Sequence, residues 1–249
     1  MKKPINVYWA PSFDLVDNRD WTFLYPTPEV LFTNLMKDRN KDIGNSSLFA
    51  CPAVSNKFKK MLVFSNALDC SYDYDSKRDP EIIPQTEQYL SVFRAREDNM
   101  KSGPIYKTGL SYIFFSDEPV NVSFTPPYFH KPGFTKSASV IPGEFDVGQW
   151  FRSYAFEFQT WSEKGELVLE KDEPLFYAEF KTDRPIVLHR FNFTHTLEKY
   201  SNAMVDTTRL FGRGESLQTR YARFRSVGFR EKILTEINTN LVEGQDIQF

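Results

Sequence analysis

Polar and apolar residues alternate over Ile5-Asn6-Val7-Tyr8-Trp9, a period of two that predicts a short strand stopped by Pro11. Further on, Thr27 as cap, Pro28 at the first position and Glu29 in the first turn predict a helix to about Asp38, with Val30, Leu31, Leu35 and Met36 on its apolar side. The polar run RNKDIGNSS at 39–47 predicts a loop, Pro52 to Phe58 a short helical turn, and Met61 to Phe64 a strand. From Tyr89 the chain reads as strands near 89–95, 105–115, 120–125, 137–141, 150–160, 165–169, 174–181 and 185–191, separated by Pro, Gly and charged turns. That spacing predicts a mainly β sandwich or barrel, and without strand–helix alternation it argues against a parallel dinucleotide-binding sheet. Two helices are expected after it, over Thr194–Ala203 and Ser216–Asn240. In the second, Leu217, Tyr221, Phe224 and Gly228 share one face. Phe229, Ile233, Ile237 and Leu241 continue the stripe in a shifted phase, with Gly228 as the bend. The organisation expected is one domain over 1–249: a mixed α/β entry segment (1–88), a β core (89–191) and a helical C-terminal segment (192–249).

The strand expected from position 150 places Trp150, Arg152, Tyr154, Phe156 and Phe158 on one side. Four of the five are aromatic, so Arg152 is a cation on the core-facing side. A cation there requires a carboxylate, several carbonyls or an anionic ligand to offset its desolvation. Arg190, on a strand face with Ile186 and Leu188, is a second such cation. Trp150, Arg152 and Arg190 are therefore the candidate ligand-binding residues: guanidinium forks suit phosphate or carboxylate, and aromatic neighbours suit a flat ligand. Internal ion pairing is the competing reading for both arginines. Arg220, Arg223, Arg225, Arg230 and Lys232 form a basic cluster, read first as the solvated face of an amphipathic helix and second as a phosphate site.

Composition narrows the functions. Aromatic residues make up 16% of the 249, with 24 Phe, which favours sheet over helix. A net charge of −2 makes a nucleic-acid-coating protein unexpected. The start Met1-Lys2-Lys3 leads into no hydrophobic stretch, and no run approaches a bilayer span, so neither a secretion signal nor a membrane segment is expected. Cys51 and Cys70 are expected to be reduced thiols, Cys51 buried and inert. His130, His189 and His195 form no metal-ligand spacing, and no nucleophile elbow, phosphate loop or Cys-x-x-Cys occurs. No metal and no cofactor are expected, and no catalytic residue is identified. Glu157, on the face opposite Arg152, is expected in solvent.

At GEFDVGQWFR (143–152) and KDEPLFYAEFKTDRPIVLHRF (171–191) the chain resembles uncharacterised proteins of T4-like tailed bacteriophages, and INVYWAPSF, DWTFLYPTPEVLF and FREKILTEINTNL extend that likeness over most of its length. The resemblance implies a phage protein of the virion or the host cytoplasm. SVIPGEFDVG and ELVLEKDEPLFYAEF also resemble the final half of the β-clip of dUTP pyrophosphatases and dCTP deaminases, or a cupin-like jelly roll. Those enzymes carry an Asp-containing turn where this chain has Ile141-Pro142-Gly143, and their Arg-Ser motif has no counterpart in matching context. The leading expectation is a binding or interaction protein without evident catalytic machinery, its partner an unidentified protein or a small anionic ligand and homo-oligomerisation left open. The alternative is a binding protein or enzyme for nucleotides or other anions with a metal-free site in the barrel.

Overall fold

Met61-Leu62-Val63-Phe64 and Tyr112-Ile113-Phe114-Phe115 carry no polar alternation, because each run lies in a strand buried on both faces. The computed structural model describes residues 2–12, 24–37, 47–75, 78–82, 92–96, 103–211 and 215–249. Among these, the first sheet holds seven strands: β1 (Ile5–Pro11), β6 (Val92–Arg96), β7 (Ile105–Ser116), β9 (Ala138–Val140), β11 (Tyr154–Thr160), β14 (Ile186–Arg190) and β15 (Ile247–Gln248). Their order is β15-β14-β1-β7-β11-β9, with β6 also paired to β7; β1 runs parallel to β14 and antiparallel to β7. The second sheet holds β2 (Glu29–Val30), β3 (Met61–Ser65), β8 (Asn121–Thr125), β10 (Gly143–Asp146) and β13 (Pro174–Phe180), in the order β10-β8-β13-β3-β2. A third comprises β4 (Cys70–Asp75), β5 (Arg78–Ile82) and β12 (Lys164–Leu169). The helices are α1 (Leu31–Lys37), α2 (Pro52–Phe58), α3 (His195–Phe211), α4 (Leu217–Val227) and α5 (Arg230–Thr239). The fold is mainly β and sandwich- or barrel-like, with a curled principal sheet.

Alternation along the strands divides the core residues between layers. Val7 and Trp9 of β1, Leu62 and Phe64 of β3, and Tyr112 and Phe114 of β7 point into a core shared by the two large sheets, with Phe124, Phe156 and Phe176. Phe64 stacks on Phe176 at 4.5 Å and meets Trp9, Tyr112 and Phe114 edge-on. Their neighbours Tyr8 and Ala10, with Ile113 and Phe115, point the other way, to Leu197, Phe224, Ile233 and Ile237 of the C-terminal helices. Met61, Val63 and Tyr177 likewise leave the second sheet for Phe49, Phe58 and Leu31. Helices therefore cover the outer face of each of the two large sheets, giving four layers.

Several expectations change. The first helix begins at Leu31, not Pro28, because Glu29 and Val30 pair as a strand with Val63 and Leu62. The strand expected over 150–160 begins at Tyr154. Tyr154, Phe156 and Phe158 do face the core, but residues 150–153 form a bend before the strand, so Arg152 is not on the barrel side. Cys51 is exposed as the N-cap of α2, while Cys70 is buried. β4, β5, β10 and β15 were not anticipated, and α3 runs to Phe211. The helix break falls at Gly228 as expected, with φ 66°, the left-handed conformation that glycine adopts without strain. The expected loop 39–47 lies outside the described residues except for Ser47, as do 89–91 of one expected strand.

Phe64→Ala should destabilise the protein by about 3–5 kcal/mol in denaturant unfolding, because four aromatic neighbours cannot close over the gap. Truncation after Gly228 removes Ile233 and Ile237 from the helical layer. The shortened chain should associate or precipitate in size-exclusion chromatography, and a soluble folded monomer would refute a covering role for α5.

Candidate anion-binding site

The bend between β10 and β11 is built around one carboxylate. Asp146 accepts the backbone N–H groups of Val120 at 3.0 Å and Gly148 at 2.8 Å with Oδ1, and the Gln149 amide with Oδ2. The backbone N–H of Asp146 in turn donates to Tyr221 Oη of α4 at 2.8 Å. Burial raises the Tyr221 phenol above its ordinary pKa, so it stays protonated. Gly148 lies against the 118–119 backbone: a Cβ there would sit 2.5 Å from the Glu118 carbonyl oxygen and 2.8 Å from Pro119 Cα.

The basic cluster of the C-terminal helices clamps this bend. Arg225 donates to Gln149 Oε1; Arg230 donates to the Gly148 carbonyl and, at 3.0 Å, to that of Ser116, with its guanidinium 5.4 Å from the Phe115 ring. Arg223 grips Glu215 through both of its terminal nitrogens, at 2.8 and 2.5 Å. That hydrogen-bonded pairing holds the Glu215 carboxyl below the usual carboxylate range and raises Arg223. Arg225 and Arg230 thus hold α4 and α5 to the bend and to β7, while the Arg223 pair ties α4 to the residue just before its cap.

Arg220 is placed differently. Its guanidinium lies 5.9 Å from the centre of the Trp150 ring, and that of Arg152 lies 5.7 Å from the same ring. Tyr221 meets Trp150 edge-on at 6.3 Å and Phe145 packs beside it at 5.9 Å, while Phe151 turns inward onto Phe115. Gln149, Trp150, Phe151 and Arg152 of the bend, Met204 of α3, and Arg220, Arg223 and Phe224 of α4 line a cavity of about 20 Å³. At that size it admits one or two water-sized groups, such as the head of an oxyanion.

Of the sequence candidates, Trp150 and Arg152 come together here and Arg190 belongs elsewhere. Its guanidinium lies 5.1 Å from the Trp9 ring and donates to Gln245 at 3.2 Å. The barrel interior around Trp9, Phe64, Tyr112 and Phe176 is filled with rings. Arg220 belongs to the cluster read first as a solvated helix face and second as a phosphate site; its placement beside Arg152 is what the sequence did not reveal. No periodicity links position 220 to position 152; only the turn at Asp146 and the helix docking bring them together.

A second polar constellation spans the other lobe. Tyr177 Oη accepts the His130 backbone N–H at 3.2 Å and bonds to Nδ1 of the same ring; Nε2 lies 2.7 Å from Asn34 Oδ1. Asn34 Nδ2 and Lys37 Nζ then donate to Glu29 Oε2 at 3.1 and 2.6 Å. Burial raises the Tyr177 phenol well above its ordinary pKa, so it stays protonated. With both ring nitrogens engaged within the protein, the chain serves to tie α1 to β13. Among the described residues no group of three or more His, Cys, Asp or Glu could hold a metal ion, and no helix is long and apolar enough to cross a membrane. No family model, no curated protein and no solved structure matches the chain.

Gly148→Ala should cost about 1–3 kcal/mol, since its new Cβ meets backbone that cannot rotate away, and chemical denaturation checks it. Four carboxylates among the described residues contribute to the acid limb of stability: Glu29, Glu179, Glu215, and Glu118, which its hydrogen bonds from Arg184 lower. Burial alone would raise Glu29 and Glu179, but hydrogen bonds from Lys37 and Asn34, and from Lys181 and Lys57, outweigh it and lower both, as Arg223 lowers Glu215. A depressed folded-state pKa contributes stability that is complete above the unfolded-state value, about 4.3 for Glu, and is lost as pH falls through the folded one. Melting temperature should therefore fall below about pH 4, and Glu215→Gln should flatten part of that fall.

Proposed function

We propose that this chain is a non-catalytic binding protein whose site, at the seam between the 146–153 bend and α4, takes an oxyanion: a carboxylate, phosphate or sulfate group. The observation that carries this reading is the placement of two guanidiniums, Arg152 and Arg220, over the same Trp150 ring at the mouth of a small cavity. Two forked cations from different layers converging on one slot suit the planar or tetrahedral oxygens of an acid group. The indole offers a flat apolar wall, and Phe151 and Phe224 exclude water from the cavity floor. The size of the slot favours an acid head group over an entire nucleotide.

The setting implied by the likeness to T4-like phage proteins is an interaction protein of the virion or of the host cytoplasm. Its partner would be another protein or a small anion. Mass spectrometry of purified particles distinguishes the two settings, since a virion component is present in stoichiometric amount.

Thermal-shift measurements with phosphate, sulfate and acetate against chloride at matched ionic strength test the site. Anion at 100 times its Kd adds about 2.7 kcal/mol, or roughly 5–10 °C for a chain of this size. Arg152→Lys should keep its anion-free melting temperature within about 2 °C and lose most of the shift, because lysine retains the charge without the fork. If no oxyanion outperforms chloride, the reading fails. A larger shift with nucleotides than with phosphate would favour the small-molecule alternative.

A further inference from the structure

The oxyanion slot lies midway along a longer strip of α4. Leu217, Arg220, Phe224 and Val227 recur at three- and four-residue spacing and so share one side of the helix. Phe224 is buried, whereas Leu217 and Val227 are 41% and 38% exposed, two of only six large apolar side chains so placed among the described residues. They stand on either side of the cavity that Arg220, Arg223 and Phe224 line, roughly 15 Å apart along the helix axis.

A free anion would use the cations and leave both apolar flanks in water. A cavity of about 20 Å³ suits a head group, and a ligand that also uses the apolar flanks lies along α4 with its remainder outside the cavity. We infer that the slot receives the carboxylate of an aspartate or glutamate from a partner protein, presented by an extended segment with apolar residues two positions before and after it. The geometry sets that spacing. In an extended chain residues i−2, i and i+2 point the same way and span about 13 Å, close to the separation of Leu217 and Val227. The carboxylate meets the guanidiniums of Arg152 and Arg220 while the flanking side chains cover Leu217 and Val227, an apolar flank around a charged centre.

This inference rests on the oxyanion reading, and the two can fail separately. The probe is a set of fluorescein-labelled pentapeptides, Φ-Ser-Glu-Ser-Φ with Leu, Ile, Val or Phe at the ends, titrated by fluorescence anisotropy. At least one should bind the full chain, and replacing its central Glu with Gln should weaken it about tenfold by removing the charge-assisted bonds. Leu217→Ser and Val227→Ser alter exposed positions; each should weaken the peptide about fivefold while the thermal shift with phosphate is retained. Peptides that bind no better than acetate, or that ignore both serine substitutions, would overturn the inference and leave the oxyanion site standing. Absence of both peptide binding and any oxyanion shift would remove the site itself.

Discussion

Burial of both faces of both large sheets is the constraint from which the remaining architecture follows. β7 feels it most: its Tyr112 and Phe114 fill the inter-sheet core while Ile113 and Phe115 must find a second apolar layer. β3 repeats the demand on the opposite side with Leu62 and Phe64 against Met61 and Val63. Neither sheet is stable in water with such an outer face exposed, so the helices at both ends of the chain are obligatory parts of the fold. Packing the interior with rings also leaves it filled, and polar groups collect at the seams between layers.

The candidate site is a product of that arrangement. α4 and α5 approach the principal sheet through apolar contacts, but their orientation is fixed by polar ones: Tyr221 on the Asp146 backbone, Arg225 on Gln149, Arg230 on two carbonyls. Gly148 permits the bend to lie against residues 118–119 closely enough to receive them. Once the helix is seated, Arg220 is brought over the same ring as Arg152. Pre-organisation of the two guanidiniums thus derives from groups that, Gln149 apart, do not themselves line the slot.

How much of this was legible depended on the range of the interaction. Strands with polar–apolar alternation, such as that ending at Thr125, were readable because a period of two is local, and those ending at Ser116 and Phe180 because aromatic and β-branched runs stand between turn residues. β4 was overlooked although Cys70, Tyr72 and Tyr74 alternate inward, since the intervening Ser71 and Asp73 resemble turn residues. Glu29 and Val30 read as a helix start, and only their pairing with β3 makes them a strand. Trp150 and Arg152 were identified for a sound reason, a cation among aromatics, but on the wrong surface. The bend at 150–153 depends on hydrogen bonds to Asp146 that no periodicity reveals. Arg190 satisfied the same criterion and was placed over Trp9 instead.

The most direct test of the account follows the tryptophan indole N–H signals in a ¹H–¹⁵N correlation spectrum as phosphate is added. The chain has four tryptophans, so the signals are few and Trp150→Phe assigns the one that matters. The account predicts a saturable shift of the Trp150 signal while those of Trp9 and Trp161 stay in place, because the seam lies outside the inter-sheet core and away from the β11–β12 turn. A Trp150 signal that does not move, or one that moves only in step with the other three, would contradict it.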